Sequence, residues 1–218
     1  NCLILMNHGI FTFADDAKEA YGLMIKYVSQ AERAIKKLKV KKIKQIKNYS
    51  TKFSSHEIAP IIRGLSSNNN DQKFIVNYRL NKNLKYFMNG KNVRSYSSKG
   101  TATPDHVIRT KQKPLLLNPK HLNDSEKLRK EISSALEKYK NNYHKYFKTN
   151  IQSKGVDKKE LDPLPRIILV AGLGLVTIGK SVKETEIAAD IYQHTIGIIR
   201  KSFNIGQFSP LKDNDLFE

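Results

Sequence analysis

The sequence predicts an α/β protein, because short apolar runs alternate with longer segments of helical periodicity. Residues 1–47 begin with one such run, which is followed by a tight turn, a second strand pattern and a helix. Residues 166–218 repeat this order. Another helical pattern, residues 124–147, lies between them. With 218 residues, 39% of them hydrophobic, the chain is long enough to bury one sizeable core or two small ones.

The two strand–turn–strand–helix segments are also similar in sequence. A shift of 165 positions lays ILMNHGIFTFADDAKEAY over LVAGLGLVTIGKSVKETE and matches Gly9 with Gly174. In each copy a residue that can cap a helix N-terminus stands three positions before a glutamate, in the pairs Asp16 with Glu19 and Ser181 with Glu184. His8 is not duplicated, since Leu173 takes its position. The repeat therefore predicts two similar hairpins, each leading into a capped helix.

The first of these helices is predicted to bury one apolar face. Its stripe consists of Ala20, Met24, Tyr27, Val28, Ala31, Ile35 and Leu38. We expect Tyr21 to lie in the core as well as Tyr27. In the basic run that follows, Lys36–Lys47, the apolar residues stay near helical spacing, which favours a continuing helix with a solvated lysine face.

The middle of the chain, residues 48–165, is less regular. IAPIIRGL (58–65) favours a short apolar helix or turn, SSNNND (66–71) favours a loop, and KFIVNYRL (73–80) favours a strand. The stretch 152–165 contains two prolines near its end and is interpreted as a connector to the second copy.

The net charge of +19 suggests a nucleic-acid partner, but the kind of basic residue does not favour one. Lysine far outnumbers arginine, whereas base readout favours the planar arginine fork, and aromatic residues do not alternate with the basic ones. A solvated lysine face is the favoured interpretation of Lys36–Lys47, and contact with an anionic surface or nucleic acid is the alternative.

The composition also bears on the compartment. The longest apolar run, Ile167–Ile178, is far shorter than the roughly 20 residues that a membrane-spanning helix needs. The single cysteine, Cys2, excludes an internal disulfide framework and a cysteine-based structural zinc site within one chain. No signal-peptide pattern opens the sequence. These features predict a soluble, cytoplasmic protein without membrane contact.

Two glycine motifs suggest nucleotide binding only weakly. GLVTIGKS, Gly174–Ser181, matches the phosphate-loop pattern GxxxxGK(S/T). Its four intervening residues are Leu, Val, Thr and Ile, which favour an extended strand over a loop curled around an anion. GLG at Gly172–Gly174 lacks the third glycine of a dinucleotide fingerprint. Neither match is therefore taken to predict a nucleotide site.

The segment around His8 is more specific. By spacing alone, a single histidine at a strand end is more often structural or solvated than a metal ligand. LMNHGIFTFADDAKEAYGLMIKYVSQAERAI, however, resembles the class II aldolase/adducin family, whose members carry an apolar strand, an NHG, a second strand and a helix with EA and later AE. This chain has Asn7-His8-Gly9, Glu19-Ala20 and Ala31-Glu32 in that order.

The resemblance implies a class II aldolase-like fold, with a mixed sheet flanked by helices, and a zinc site. In that family the NHG histidine is the last of three zinc-binding histidines, and the other two come from an HxH earlier in the chain. His8 is therefore predicted to bind zinc, Asn7 to fix its tautomer and contact substrate, and Gly9 to allow the sharp turn. Because the HxH is missing, we expect a C-terminal part of an aldolase unit, truncated at its N-terminus and inactive alone.

Two further segments, residues 100–119 and 165–196, resemble long bifunctional proteins in which such an aldolase unit precedes a short-chain dehydrogenase. Those proteins act in deoxy-sugar breakdown as rhamnulose-phosphate aldolase with alcohol dehydrogenase. The resemblance implies zinc-dependent cleavage of a ketose 1-phosphate, such as rhamnulose 1-phosphate, into dihydroxyacetone phosphate and lactaldehyde. NAD is expected only through a dehydrogenase domain downstream, since this chain has no motif of that enzyme.

The motif TPDHVIRTK combines an imidazole, a carboxylate and two cations in one short segment. His106 is predicted to carry a proton, and Arg109 and Lys111 to hold the substrate phosphate. Ordinary surface charges on a loop are the alternative. The remaining histidines are expected to be solvated: His56, His121, His144 and His194.

A second class of function stays open beside the enzyme. Adducin-like relatives keep the fold as a non-catalytic interaction module, and the basic surface of this chain would then bind an acidic partner. An HxH upstream in the complete gene would favour the enzyme. A homo-oligomer is expected, since sites in this family are often completed by a neighbouring subunit.

Overall fold

The structure, a computed structural model, describes residues 1–38, 42–46, 50–67 and 73–217. Its strands are β1 (Cys2–Leu5), β2 (Gly9–Thr12), β3 (Ile75–Arg79), β4 (Leu115–Leu117), β5 (Ile167–Val170) and β6 (Gly174–Gly179). Its helices are α1 (Ala17–Lys36), α2 (Ser55–Ser67), α3 (Lys82–Met88), α4 (Val93–Ser97), α5 (Val107–Thr110), α6 (Ser125–Lys154) and α7 (Val182–Ile205). Single turns of 3-10 helix occupy Pro104–His106 and Pro119–His121.

Four of the strands form a mixed sheet in the order β3-β6-β5-β4. β4 runs parallel to β5, and the other neighbours are antiparallel. Helices pack on both faces of this sheet, so the predicted α/β fold with a mixed sheet flanked by helices is confirmed. Within the described residues, no helix has the length and hydropathy needed to cross a membrane.

The central strands contribute to a core on each face, because alternate residues of a strand point in opposite directions. On one face Ile168 and Val170 pack with the apolar sides of α2 and α6. On the other face Ile167 and Leu169 pack with α3 and α7. This two-sided burial explains why the run Ile167–Ile178 is almost continuously apolar.

The β1–β2 hairpin and α1 have the same internal geometry as the β5–β6 hairpin and α7. Cys2 pairs with Thr12 in the first hairpin, and the same register recurs 165 positions later. The Thr12 hydroxyl donates to the Ala20 carbonyl over 2.8 Å. The Thr177 hydroxyl donates to the Thr185 carbonyl over 3.0 Å. The similarity of the two sequences is therefore also a similarity of structure.

The two copies differ in how much of them is covered. Within the described residues β1 and β2 pair only with each other, and α1 has no buried residue. The prediction that Tyr21 lies in the core is wrong, since its side chain is 69% exposed, and Tyr27 is only partly buried. The apolar stripe of α1 has the period of a buried helix face. In the described chain, however, no further strand joins the β1–β2 hairpin, and the stripe is not buried.

The basic run after α1 does not continue as a helix, contrary to the prediction. α1 ends at Lys36, and Ile46 N donates to the Asn89 carbonyl over 2.8 Å. The side chain of Ile43 packs on the core beside α3 and α7. Backbone pairing and apolar burial therefore override the helical spacing in residues 42–46. Residues 39–41 and 47 lie outside the described residues.

The middle segment contains the elements that its sequence predicts. The apolar run at 58–65 is part of α2, and the strand pattern at 73–80 contains β3. Most of the loop predicted at 66–71 lies outside the described residues, which resume at residue 73.

α6 begins where the sequence predicts and ends later. The Asp124 carboxylate accepts hydrogen bonds from two N–H groups of the first turn, which lowers the pKa of Asp124. The helix continues past residue 147 to Lys154, where Gly155 adopts a left-handed conformation with a φ of 62°. The start of the connector predicted at 152–165 is therefore helical.

The phosphate-loop match forms a strand and a helix cap, as its composition favours. β6 is hydrogen-bonded to β3 on one side and to β5 on the other. At the start of α7, Glu184 Oε2 accepts from Lys180 N over 2.7 Å, and Ser181 Oγ accepts from Glu184 N over 3.2 Å. The N–H groups of Lys180 and Glu184 are thus bonded to side chains at the start of α7.

Gly174→Ala is expected to lower the free energy of unfolding by about 1–3 kcal/mol, the usual cost of overpacking. A Cβ at Gly174 would lie 2.5 Å from the carbonyl oxygen of Arg79. Gly9, the matching residue of the first copy, has no such neighbour within 4 Å. Gly9→Ala is therefore expected to change stability by less than about 0.5 kcal/mol. Urea denaturation measures both variants, and equal effects would contradict this explanation.

Candidate functional site

The turn of the β1–β2 hairpin, residues 6–8, carries the predicted metal ligand. Asn7 has a φ of 58°, and Gly172, at the same position of the β5–β6 turn, has a φ of 80°. Asparagine and glycine adopt this left-handed conformation more readily than other residues. Asn7 therefore makes the sharp turn that was predicted for Gly9, which instead opens β2.

His8 ends this turn and faces a distant part of the chain. Its Nε2 lies 3.7 Å from Oδ2 of Asp105, and the two side chains are 44% and 72% exposed. Leu173, the residue matching His8 in the other hairpin, packs against the core. The first hairpin thus presents a ring nitrogen at the position where the second presents an apolar side chain. The side chain that approaches His8 is therefore the Asp105 carboxylate.

Asp105 and His106 lie on the 3-10 turn before α5, and His106 packs against α7. Its Nδ1 is 3.4 Å from Oγ1 of Thr195, whose hydroxyl donates to the Ile191 carbonyl over 3.1 Å. Because the hydroxyl proton is used in that bond, Thr195 is placed to accept from Nδ1–H. The Nε2 atom of the neutral ring is then the proton acceptor.

The surroundings of His106 favour its neutral form. Burial lowers the pKa of His106, and His194 lowers it further, whereas the Asp105 carboxylate opposes the shift. The ring centroids of the two histidines lie 6.1 Å apart. A neutral imidazole next to an exposed carboxylate is a suitable pair for general acid–base chemistry.

α5 separates the two cations that the sequence groups with His106. Arg109 is exposed on α5. Lys111 is 6% exposed and turns inward with a φ of 57°. Its ammonium donates to the main-chain carbonyl of Asp162 and lies 3.6 Å from the centroid of the Tyr143 ring. The structure therefore places Lys111 in a separate, buried environment.

Lys111 lines a cavity of about 220 Å³ between α5, α6, the segment before β5 and residues 216–217. The polar part of the lining includes Lys111, Gln112, Lys158, Lys159 and Arg166. Burial lowers the pKa of Lys111 to about 7, against the opposing effect of the carboxylates of Asp162 and Glu160. Sequence reasoning missed this cavity, because its walls come from four segments that no motif connects.

Of the other histidines, His144 makes a contact that was not expected. Its Nδ1 lies 2.6 Å from Oε1 of Glu160. Nothing in the sequence links these two residues, which lie on α6 and on the connector after it. His56, His121 and His194 are exposed, in agreement with the prediction.

The described residues do not complete a zinc site. In this part of the chain, no group of three or more His, Cys, Asp or Glu side chains is arranged to hold a metal ion. His8 with Asp105 offers one imidazole and one carboxylate, whereas a catalytic zinc takes three protein ligands. Any further ligands must come from outside these residues.

The buried Lys111 amine is expected to make stability depend on pH. Its pKa of about 7 in the folded chain lies below the ordinary value of 10.5, so unfolding takes up a proton between these two values. Stability therefore rises with pH across that window. We expect a steeper rise in the wild-type chain than in Lys111→Met. Urea denaturation at several pH values measures both slopes, and parallel curves would contradict the assignment.

Residues 52–218 match the family model of the second domain of class II aldolases. Over 99% of its length the chain is 28% identical to the Bacillus subtilis (strain 168) protein named uncharacterized oxidoreductase YuxG, and it spans 32% of that protein. It is also similar to the crystal structure of YgbL from Escherichia coli, with a TM-score of 0.41 and 15% identity over 70% of this chain and 61% of that one. Because the family model covers more than half of the sequence, the chain belongs to the class II aldolase family.

Proposed function

We propose that the chain is part of a lyase that cleaves a deoxy-sugar ketose 1-phosphate, such as rhamnulose 1-phosphate, by a retro-aldol reaction. The products are dihydroxyacetone phosphate and lactaldehyde. The observation that carries the proposal is the approach of His8 to Asp105, 3.7 Å apart, on two segments that are distant in sequence. Membership of the class II aldolase family supports the same reaction type.

His106 transfers the proton in this proposal. The free Nε2 of its neutral ring accepts the proton of the substrate hydroxyl next to the carbon–carbon bond that breaks. The electrons of that O–H bond form the carbonyl of lactaldehyde. The electron pair of the broken bond stays on the ketone fragment as an enediolate. Return of a proton to its carbon gives dihydroxyacetone phosphate.

Substrate recognition is assigned to exposed side chains that neighbour His8 and His106 in the sequence. Arg109 lies on α5 directly after His106, and its planar guanidinium suits a phosphate. Asn7 is exposed next to His8, so its amide is available to the sugar hydroxyls. Lys111 is no longer part of this group, because its ammonium is buried and donates to the Asp162 carbonyl.

Zinc is the cofactor that we propose, with His8 as one ligand. The remaining ligands would lie outside the described residues, and the proton transfer by His106 does not involve the metal. A homo-oligomer, in which a neighbouring subunit completes the site, belongs to the same proposal.

We further propose that, in a longer protein, this unit is joined to an NAD-dependent dehydrogenase. The name of YuxG describes an oxidoreductase, and this chain spans 32% of that protein. NAD would then bind to a part of the protein that this chain does not contain.

His8→Ala in the complete protein is expected to remove bound zinc and leave the fold intact, because the side chain is 44% exposed. Elemental analysis of the purified protein measures zinc, and circular dichroism checks the fold. His121→Ala, at another exposed histidine, is the control and should keep its zinc. Stoichiometric zinc in His8→Ala would exclude His8 from the site. A wild-type protein without zinc would instead favour the adducin-like interaction module.

Arg109→Ala is expected to raise the KM for rhamnulose 1-phosphate more than tenfold, a loss of about 1.4 kcal/mol or more of charge-assisted binding. Retro-aldol assays on the complete protein measure KM and kcat. Arg129→Ala removes an exposed arginine of α6 and should leave KM unchanged. An unchanged KM in Arg109→Ala would show that this side chain is an ordinary surface charge.

A further inference from the structure

We propose that the cavity beside Lys111 binds a small hydroxylated organic anion, at a site separate from His8 and His106. Its volume of about 220 Å³ is below the roughly 300 Å³ at which pockets for drug-sized ligands begin. The site is therefore suited to a small metabolite and not to a nucleotide or a peptide. This inference does not depend on the proposed aldolase function.

The charges of the cavity favour an anion. Among the described residues, the charged side chains that line it are all cations, namely Lys111, Lys158, Lys159 and Arg166. Two carboxylates lie nearby, and each has a basic side chain within ion-pair distance. Asp162 pairs with Arg166, and Glu160 pairs with His144. A phosphate or carboxylate of a ligand would therefore meet Lys158 and Lys159, with which neither of these carboxylates pairs.

Two buried polar atoms indicate which further groups the ligand carries. Oε1 of Gln112 and Nη1 of Arg166 have no hydrogen-bond partner among the described residues, and both side chains line the cavity. Gln112 is only 8% exposed, so its amide is largely removed from bulk water. An amide oxygen accepts and a guanidinium nitrogen donates. Both atoms are covered in this structure, so a ligand with a hydroxyl group and an anionic group would satisfy them only after displacing the side chains that cover them.

The rest of the wall is apolar and suits the carbon skeleton of such a ligand. It includes the rings of Tyr143, Tyr146, Phe147 and Phe217. The Phe217 ring packs edge-on against Tyr146 at 5.6 Å and against Phe147 at 5.7 Å. These contacts hold the aromatic side together, so the pocket combines an apolar wall with a few polar groups, as small-molecule sites commonly do.

The backbone at Lys111 places its ammonium in this cavity. Lys111 has a φ of 57° and a ψ of 175°, a conformation that residues other than glycine rarely adopt. The strain turns the chain inward at the end of α5. The ammonium comes to lie 3.6 Å from the centroid of the Tyr143 ring. A side chain held in this way is already in position when a ligand arrives.

Isothermal titration calorimetry with glycerol 3-phosphate tests the proposal, at about 0.15 M salt to screen the surface charges. This probe has both hydroxyl groups and an anionic group. Inorganic phosphate has the anion without the carbon skeleton, and glycerol has the hydroxyls without the anion. We expect one glycerol 3-phosphate per chain, bound at least about tenfold more tightly than phosphate, and no binding of glycerol.

Variants locate the binding. Lys111→Met should weaken it about tenfold or more, whereas Lys127→Met, at an exposed lysine of α6, should change it less than about twofold. If Lys111→Met does not fold, the double variant Lys158→Met/Lys159→Met decides, since both lysines are exposed, and it should weaken binding at least about threefold. His8→Ala should bind as the wild type does.

Four results would overturn the proposal. The first is no binding of glycerol 3-phosphate, and the second is equal binding of inorganic phosphate, which would indicate a site for any anion. The third is unchanged affinity in the folded Lys111→Met chain or in the double lysine variant. The fourth is loss of binding in His8→Ala. That result would place the ligand at the site around His8 and would not contradict the aldolase proposal.

Discussion

The β5–β6 hairpin is the pairing on which the rest of the sheet depends. Within the described residues, β4 is attached only through β5 and β3 only through β6. Both hairpin strands are buried on their two faces, so removal of their apolar side chains from water stabilises two helical layers at once. Gly174 is required at the start of β6, because the carbonyl of Arg79 on β3 approaches closely there.

The first hairpin shows how the same element serves another purpose when its surroundings change. Its register and its turn conformation match those of the second hairpin. In the second copy the Tyr78 hydroxyl donates to the Leu173 carbonyl over 3.0 Å, and the leucine packs on the core. In the first copy the matching side chain is an exposed imidazole beside Asp105. At this turn position the structural copy thus has an apolar side chain, and the copy with the candidate metal ligand has an imidazole.

The short segment around α5 contributes to two environments, one accessible to solvent and one buried. Asp105 and His106 lie before the helix, near His8 and α7, where side chains remain accessible to a substrate. Lys111 and Gln112 lie after it and are buried against α6 and the segment before β5. The left-handed backbone at Lys111 produces this reversal, because it directs the chain from the surface toward β4.

The sequence by itself determined the elements that depend on near neighbours: the alternation of strands and helices, the caps at Asp16 and Ser181, and the two related hairpins. It also indicated His8 and the segment of His106 as candidate site residues. Only the tertiary structure decided that Asp105 approaches His8, that Tyr21 is exposed, and that Lys111 is buried. These outcomes depend on packing between segments far apart in the chain, where local periodicity carries no information about which surfaces meet.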